Sequence, residues 1–401
     1  MAPQADDLGQ IEYLYNTYIP NTYAATLQIL KTGAAIAERG VGFRLNCGPV
    51  GISVTELANR LALRPSPKLS VRPVFPGDRV LGRPVPRRVR DAMLARGCRR
   101  LLERERPACV ISRGETGIAA ALAPRPPGTK LILEVHKLLC LDRLEKAAST
   151  MLPLERARDA SGFARERAAF HAADGHLFIS QGVRAAAEAL YGIPSGPALV
   201  LPSGVEPPAA PRTRFPDTDF VFAGKIETRK GLWLMLRALE RMPEASLRLI
   251  GTGPELVRAR AFVAGIGAQD RIELTGARDH ADLAAELARG RIGLCLLPGD
   301  IDHVAHSFSS PMKLLEFMAL GLPVIATDMP TVREICGRSD APTAVLCPPD
   351  PYEIAAAGAA LLADAGRQAR LGRAGRTRAE GFAWPNRGRR LLEFCQEVLA
   401  A

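Results

Sequence analysis

The chain has 401 residues, 47% of them hydrophobic and 24% charged, with 36 Gly and 32 Pro, values that exclude a wholly disordered or fibrous chain and suit two or three domains. Its formal charge is +11, and the stretch 60–106 alone holds 14 basic and 4 acidic side chains. Eight Cys without any C-x-x-C spacing argue against a zinc site or a disulfide framework and read as buried thiols. A polar N-terminus, with no apolar run near the ~20 residues that span a bilayer, points to a cytoplasmic protein.

In chain order, apolar strand candidates fall at 11–16, 42–47, 71–75, 108–113, 130–136, 176–180 and 198–202. Helical stretches lie between them at 23–38, 86–104, 154–172 and 182–191. The proline-rich segment SGVEPPAAPRTRFPD, 203–217, cannot sustain an element and reads as a linker. The pattern restarts with strands at 219–224, 246–251, 271–275, 292–297, 323–327 and 343–347, and it ends on a helical segment at 385–400. Short apolar strands alternating with helices imply parallel sheets covered on both faces. The fold class is therefore α/β, with two Rossmann-like domains at 1–203 and 218–384 and a terminal helix over 385–401. Ligands of such sheets bind beyond the carboxyl ends of the strands, so two sheets facing each other would form one central cleft.

Three segments are suited to chemistry. Gly224-Lys225-Ile226-Glu227-Thr228-Arg229-Lys230-Gly231 joins the strand at 219–223 to a helix at 231–242. Such a turn presents backbone N–H groups at a positive helix end, and Lys225, Arg229 and Lys230 add cations, so it fits a diphosphate as well as it fits a solvated basic turn. In the run Ser309 to Gly321, Ser310 reads as an N-cap, Pro311 as the first helical residue and Gly321 as the stop. The helix between them is apolar almost all round, and its two charges, Lys313 and Glu316, share a face. Either they form an internal ion pair, or Glu316 accepts ligand hydroxyls while Lys313 and the Ser310 end meet phosphate. An intrahelical pair is worth only ~0.3–0.5 kcal/mol, which favours the ligand reading. Glu134-Val135-His136-Lys137 ends a strong strand, where His136 can bond a sugar hydroxyl, move a proton, or simply be a satisfied loop residue.

Two further patterns are set aside. Asp300-Ile301-Asp302, with His303 and His306 after it, has the residue types of a metal site, but so short a match is unspecific, and no metal is assigned. Gly251-Thr252-Gly253-Pro254-Glu255 is not the G-x-G-x-x-G fingerprint, which disfavours a dinucleotide oxidoreductase and leaves no cofactor assigned.

Over about residues 108–400 the ordered set ILEVHKL, LFIS, LPSGVEP, FAGKIETRKG, LRLIGTGPE, IELTGARDH and SSPMKLLEFMALGLPVIATD resembles retaining glycosyltransferases of the GT-B fold, family 4 (glycosyl transferases group 1). The resemblance implies a nucleotide-sugar donor (UDP- or GDP-sugar) on the C-terminal domain, a glycan or lipid-linked acceptor on the N-terminal domain, and transfer with retention and without metal. It also implies that the terminal helix packs back on the N-terminal domain. By position, Gly224, Lys225 and Lys230 would hold the diphosphate, with Lys225 where the family usually has Arg. Glu316 would hold ribose hydroxyls, and His136 would lie near the donor sugar's hydroxymethyl group. The family's first acid falls on Phe308, a departure that raises the alternative of a catalytically inactive nucleotide-sugar-binding protein. Ser309, Ser310 and Lys313 match a Ser-Ser-Pro-x-Lys arrangement that would take over contacts to phosphate and sugar. A nucleotide-sugar epimerase is the third reading.

The basic excess then falls on the acceptor half. The helical part of 83–106 carries Met93, Leu94, Leu101 and Leu102 among its arginines. It fits an anionic membrane surface, which would place the protein peripherally at the inner face of the plasma membrane, or a core-facing helix with solvated arginines. No nucleic-acid module appears, so nucleic acid is not assigned as a partner.

Overall fold

A computed structural model describes residues 8–19, 24–64, 66–75, 79–80, 83–84, 86–141, 153–208, 216–278, 280–299, 310–337 and 342–401. The chain divides into two compact units, one made of Met1–Pro202 with Trp384–Ala401 and the other of Ser203–Ala383.

The strands of the first unit are β1 (Gln10–Leu14), β2 (Gly42–Cys47), β3 (Leu69–Pro73), the short pair β4 (Arg79–Val80) and β5 (Arg83–Pro84), β6 (Cys109–Arg113), β7 (Lys130–Val135), β8 (Gly175–Phe178) and β9 (Ala198–Val200). Seven of them form one sheet in the order β3-β2-β1-β6-β7-β8-β9, with every recorded pairing parallel. This is the doubly wound order, in which the direction of winding reverses between β1 and β6. Successive side chains along β1 go to opposite faces. Ile11 and Tyr13 enter a core shared with the terminal helix, whereas Leu14 enters a second core with Leu94, Leu102 and Val110.

The terminal helix, Trp384–Ala400, lies on helix Ala24–Ala37 and buries Leu391, Leu392, Phe394, Cys395 and Val398. The approach is close enough that a Cβ on Gly388 would stand 2.8 Å from the Ala35 Cβ. The helix Arg87–Glu105 settles one open question. Its residues Leu94, Cys98, Leu101 and Leu102 are buried in a core that also holds Ile118, Ala119, Ala120 and Ala121 of helix Gly114–Ala121. Glu105 pairs with Arg44 at 3.3 Å and Arg72 at 2.8 Å. The apolar stripe that could have met lipid is therefore spent on the core, leaving only Val89 and Met93 exposed among its large apolar side chains. No described helix is long and apolar enough to cross a membrane.

The second unit repeats the plan with β10 (Thr218–Ala223), β11 (Leu247–Ile250), β12 (Ile272–Gly276), β13 (Gly290–Cys295), β14 (Val324–Thr327) and β15 (Val345–Cys347). They form a parallel sheet in the order β12-β11-β10-β13-β14-β15. Along β10, Phe220 and Phe222 pack on one face, while Val221 and Ala223 pack on the other with Leu314, Phe317 and Met318. All eight cysteines are free and buried. Part of the segment read as a linker, 209–215, lies outside the described residues, but its start is structured: Val205 is buried and pairs with Ala383.

Two short helices of the first unit, Val54–Arg60 and Gly114–Ala121, were not located from the sequence. At seven and eight residues, neither completes enough turns for its period to stand out.

Candidate functional site

Each unit presents chemistry-bearing residues at the carboxyl ends of its strands. In the second unit the chain leaves β10 at Ala223, and Gly224 donates its N–H to Ile250 O at 2.9 Å. A single 3-10 turn, Thr228–Lys230, leads to Gly231 and into helix Leu232–Glu240. Gly231 sits at φ 72, where a Cβ would stand 2.3 Å from Leu296 O, so only glycine fits. Glu255 braces the turn from outside. Its carboxylate accepts the Thr228 N–H and hydroxyl and, at 3.2 Å, the Trp233 indole N–H. Burial works against ionising Glu255, yet these hydrogen bonds outweigh it and lower its pKa. The segment set aside as a failed dinucleotide fingerprint is thus the brace of the basic turn.

The cations of that turn are not equivalent. Lys225 is exposed and pairs with Glu227 at 2.8 Å. Lys230 is half-buried, and its ammonium makes no hydrogen bond or ion pair among the described residues. Desolvation lowers its pKa, with Glu227 partly opposing the shift. Such a group gains strongly from an incoming anion.

The second segment departs from its reading at the start. The helix begins at Met312, and Pro311 takes the capping position at φ -73, ψ 96 without a side-chain bond. Ser310 is not the N-cap. The residue before a proline is steered away from helical geometry, and the Ser310 hydroxyl instead accepts the Ser203 N–H at 3.1 Å. Gly321 does end the helix, at φ 71, with its N–H on Met318 O. Lys313 and Glu316 form the internal ion pair at 2.6 Å that stood as the alternative to ligand contact. Ser309 and Phe308, together with Asp300, Asp302, His303 and His306, lie outside the described residues.

In the first unit, His136 follows β7 with its side chain 24% exposed, and its Nε2 lies 2.9 Å from Glu134 Oε1 and 3.1 Å from Arg113 Nη1. Glu134 also accepts the Tyr13 hydroxyl and Arg387 Nη2, the latter at 3.3 Å. Arg387, from the terminal helix, further donates to Thr32 Oγ1 at 3.0 Å and Pro202 O at 2.9 Å. Burial and the Arg113 guanidinium push the His136 pKa down to about 4, only partly offset by Glu134, so the imidazole is neutral at pH 7. Burial alone would raise Glu134, but His136, Arg387 and Arg113 hold it well below the usual carboxylate range.

Tyr13, Arg113 and Arg387 were missed in the sequence. Arg387 did leave a trace, since it shares a helical stripe with Trp384, Gly388 and Leu391, all buried.

The comparisons agree with this architecture. The model of the glycosyl transferase 4-like domain matches residues 26–204, and that of glycosyl transferases group 1 matches residues 217–364. The chain therefore carries a glycosyl transferase 4-like domain followed by a glycosyl transferases group 1 domain. Its fold is that of sucrose-phosphate synthase from Thermosynechococcus elongatus, at TM-score 0.72 and 18% identity over 98% of this chain and 99% of that one. Anabaena HepE, solved with UDP and glucose, matches at TM-score 0.67 and 15% identity over 96% and 98%. These are GT-B proteins with two Rossmann-like domains. Among curated relatives, the D-inositol 3-phosphate glycosyltransferase of Xylanimonas cellulosilytica is 28% identical over 179 residues, 43% of this chain and 40% of that protein. The exopolysaccharide phosphotransferase SCO2592 of Streptomyces coelicolor is 35% identical over 95 residues, 24% of this chain and 9% of that protein. The chain thus spans less than half the length of either curated relative in its matches.

Proposed function

We propose that this protein transfers a sugar from a UDP- or GDP-sugar to a glycan or lipid-linked acceptor of cell-surface polysaccharide or glycolipid synthesis, with retention at the anomeric carbon and without a metal. The observation that carries the reading is Lys230, a half-buried ammonium with no partner among the described residues, on a braced strand-to-helix turn. The match to glycosyl transferases group 1 supports it, as does HepE, whose structure was solved in complex with UDP and glucose.

In this reading Gly224, Lys225 and Lys230 take the diphosphate. Lys225 exchanges its carboxylate partner for phosphate, whereas Lys230 has none to give up and supplies the preorganised charge. Glu316 turns from Lys313 to ribose hydroxyls, leaving Lys313, with Ser310 and Ser309, for phosphate and sugar. Neutral His136 bonds a sugar hydroxyl. As the glycosidic bond lengthens, negative charge grows on the leaving diphosphate, and the fixed ammonium stabilises it more than it stabilises the ground state. An acceptor hydroxyl then attacks the oxocarbenium-like carbon from the face the diphosphate leaves and passes its proton to the departing diphosphate oxygen.

A thermal-shift panel of UDP, GDP and their sugars tests this. One nucleotide family should raise the Tm progressively with concentration, because a ligand that binds only the folded state stabilises it by mass action. Lys230→Ala should abolish the shift, and EDTA should leave sugar transfer unchanged. A panel in which no nucleotide moves the Tm sinks the proposal. Binding without any donor turnover would select the inactive alternative raised by Phe308.

A further inference from the structure

We propose that the first unit carries an anion subsite, formed by Arg113 and His136 at the carboxyl ends of β6 and β7, that takes a carboxylate or phosphate group borne by a sugar substrate. The sugar rests on the glycosyltransferase reading; the anion rests on the first unit alone.

The starting point is an imbalance of buried charge. Arg113 is 6% exposed, Arg387 4% and Glu134 4%. Tyr13 and His136 are neutral at pH 7, because burial raises the first pKa and lowers the second. The cluster therefore holds two guanidinium charges against one carboxylate. Arg387 is satisfied, since its fork ends on Glu134, Thr32 and Pro202. Arg113 has no carboxylate within ion-pair distance among the described residues and shares the Glu134 charge with Arg387 across a longer gap, so the cluster as a whole keeps one positive charge in excess. Arg113 meets the His136 ring nitrogen at 3.1 Å and lies over the Tyr15 ring, 4.4 Å from its centroid. A neutral imidazole and an aromatic face orient a guanidinium but do not cancel its charge.

A buried cluster with a net charge is costly, and an anion relieves that cost. Guanidinium is the side chain whose planar fork matches carboxylate and phosphate. His136 is the partly exposed member of the cluster, so a ligand that contacts it lies beside Arg113. The location fits as well, since ligands of doubly wound sheets bind beyond the carboxyl ends of the strands. A further unpaired donor lies on the helix that carries Thr32, the partner of Arg387. Gln28 is buried with its Nε2 lacking an acceptor among the described residues, one turn before Thr32 on the same helix face. A neutral sugar leaves the positive excess of the cluster in place, whereas a uronate or sugar phosphate neutralises it.

The test is a titration of the full chain, uniformly labelled with 15N, that follows the His136 ring signals. The probes are D-glucuronate, D-glucose 6-phosphate, inorganic phosphate, sodium chloride and neutral D-glucose. Saturable shifts at least about ten-fold tighter for an anionic sugar than for D-glucose are expected, since charge-assisted pairs carry more than 1.4 kcal/mol. Glucuronate and glucose 6-phosphate distinguish a sugar carboxylate from a sugar phosphate, and either one supports the subsite. Arg113→Met should remove the preference and Arg113→Lys should keep part of it. Equal binding of D-glucose, equal shifts with chloride, or anion preference surviving in Arg113→Met would each overturn the proposal. Should Arg113→Met fail to fold, the probe ranking on the unaltered chain and on Arg113→Lys still decides. UDP thermal shifts on the unaltered chain report the second unit separately, so a failed donor reading is not mistaken for a failed subsite.

Discussion

Arg387 makes three side-chain hydrogen bonds from one buried guanidinium, and its partners come from three different segments: Thr32, Glu134 and Pro202. Removing one member of a buried ion pair strands the other, a loss of about 3–5 kcal/mol, whereas replacing both with apolar or neutral groups costs far less. Arg387→Met should therefore shift urea unfolding sharply to lower denaturant, and the double variant Arg387→Met/Glu134→Gln should recover much of the loss. Additive losses across that double-mutant cycle would show that the pair is not coupled. At this scale the sequence was legible unevenly. Lys225, Lys230 and His136 announce themselves by position after a strand, because strand ends are recognisable locally. Lys313 and Glu316 were legible as a pair with two possible roles, and the structure contains the internal one at 2.6 Å.

The basic turn works as an element because Glu255 holds it. That carboxylate binds the Thr228 N–H and hydroxyl and the Trp233 indole. Replacing Glu255 by Ala leaves these donors without their acceptor and lets the Lys230 segment move. The expected result is a nucleotide affinity lower by roughly ten-fold, about 1.4 kcal/mol, read by calorimetric titration. An unchanged affinity would mean that the turn is rigid without its brace. Helix Arg87–Glu105 teaches a different lesson. Its period showed that Leu94, Leu101 and Leu102 share a face, but not whether that face meets lipid or protein. The decision lay with helix Gly114–Ala121, which supplies the covering residues and whose eight residues are too few to display a clear period. The start of helix Met312–Ala319 slipped for a related reason, since Pro311 fits both a first helical turn and an extended approach to it.

For the whole molecule, acid should be the weak side of the stability profile. His136 and His176 both have folded pKa values pushed down to about 4, in each case by burial first. His176 donates its Nε2–H to Phe170 O at 2.8 Å, and its buried Nδ1 has no partner among the described residues. Above the unfolded value of about 6.5 both rings are neutral in either state, and their contribution is fully present. As the pH falls from about 6.5 toward about 4, the unfolded chain takes up protons that the folded chain refuses, so stability is lost. Glu134, with its folded pKa lowered, adds a further loss at still lower pH. Urea midpoints should fall steadily from pH 7 to pH 4.5, and His176→Gln should flatten part of that fall. A profile that is flat over this range would contradict the burial of both rings.

Length and hydrophobic spacing by themselves determined two α/β repeats, a proline-rich boundary and a terminal helix, because strand and helix periods are carried by neighbouring residues. They also located the basic turn and His136, and the ordered motifs carried the family. Only the tertiary structure decided which residues surround them. Glu134 and Arg387 stand 253 positions apart and meet because the terminal helix lies on the first unit. Nothing in a local period encodes that meeting. The basic charge is resolved in the same way: the arginines of 60–106 were visible in the composition, whereas the positive excess around Arg113 appears only when three distant strands and a returning helix come together.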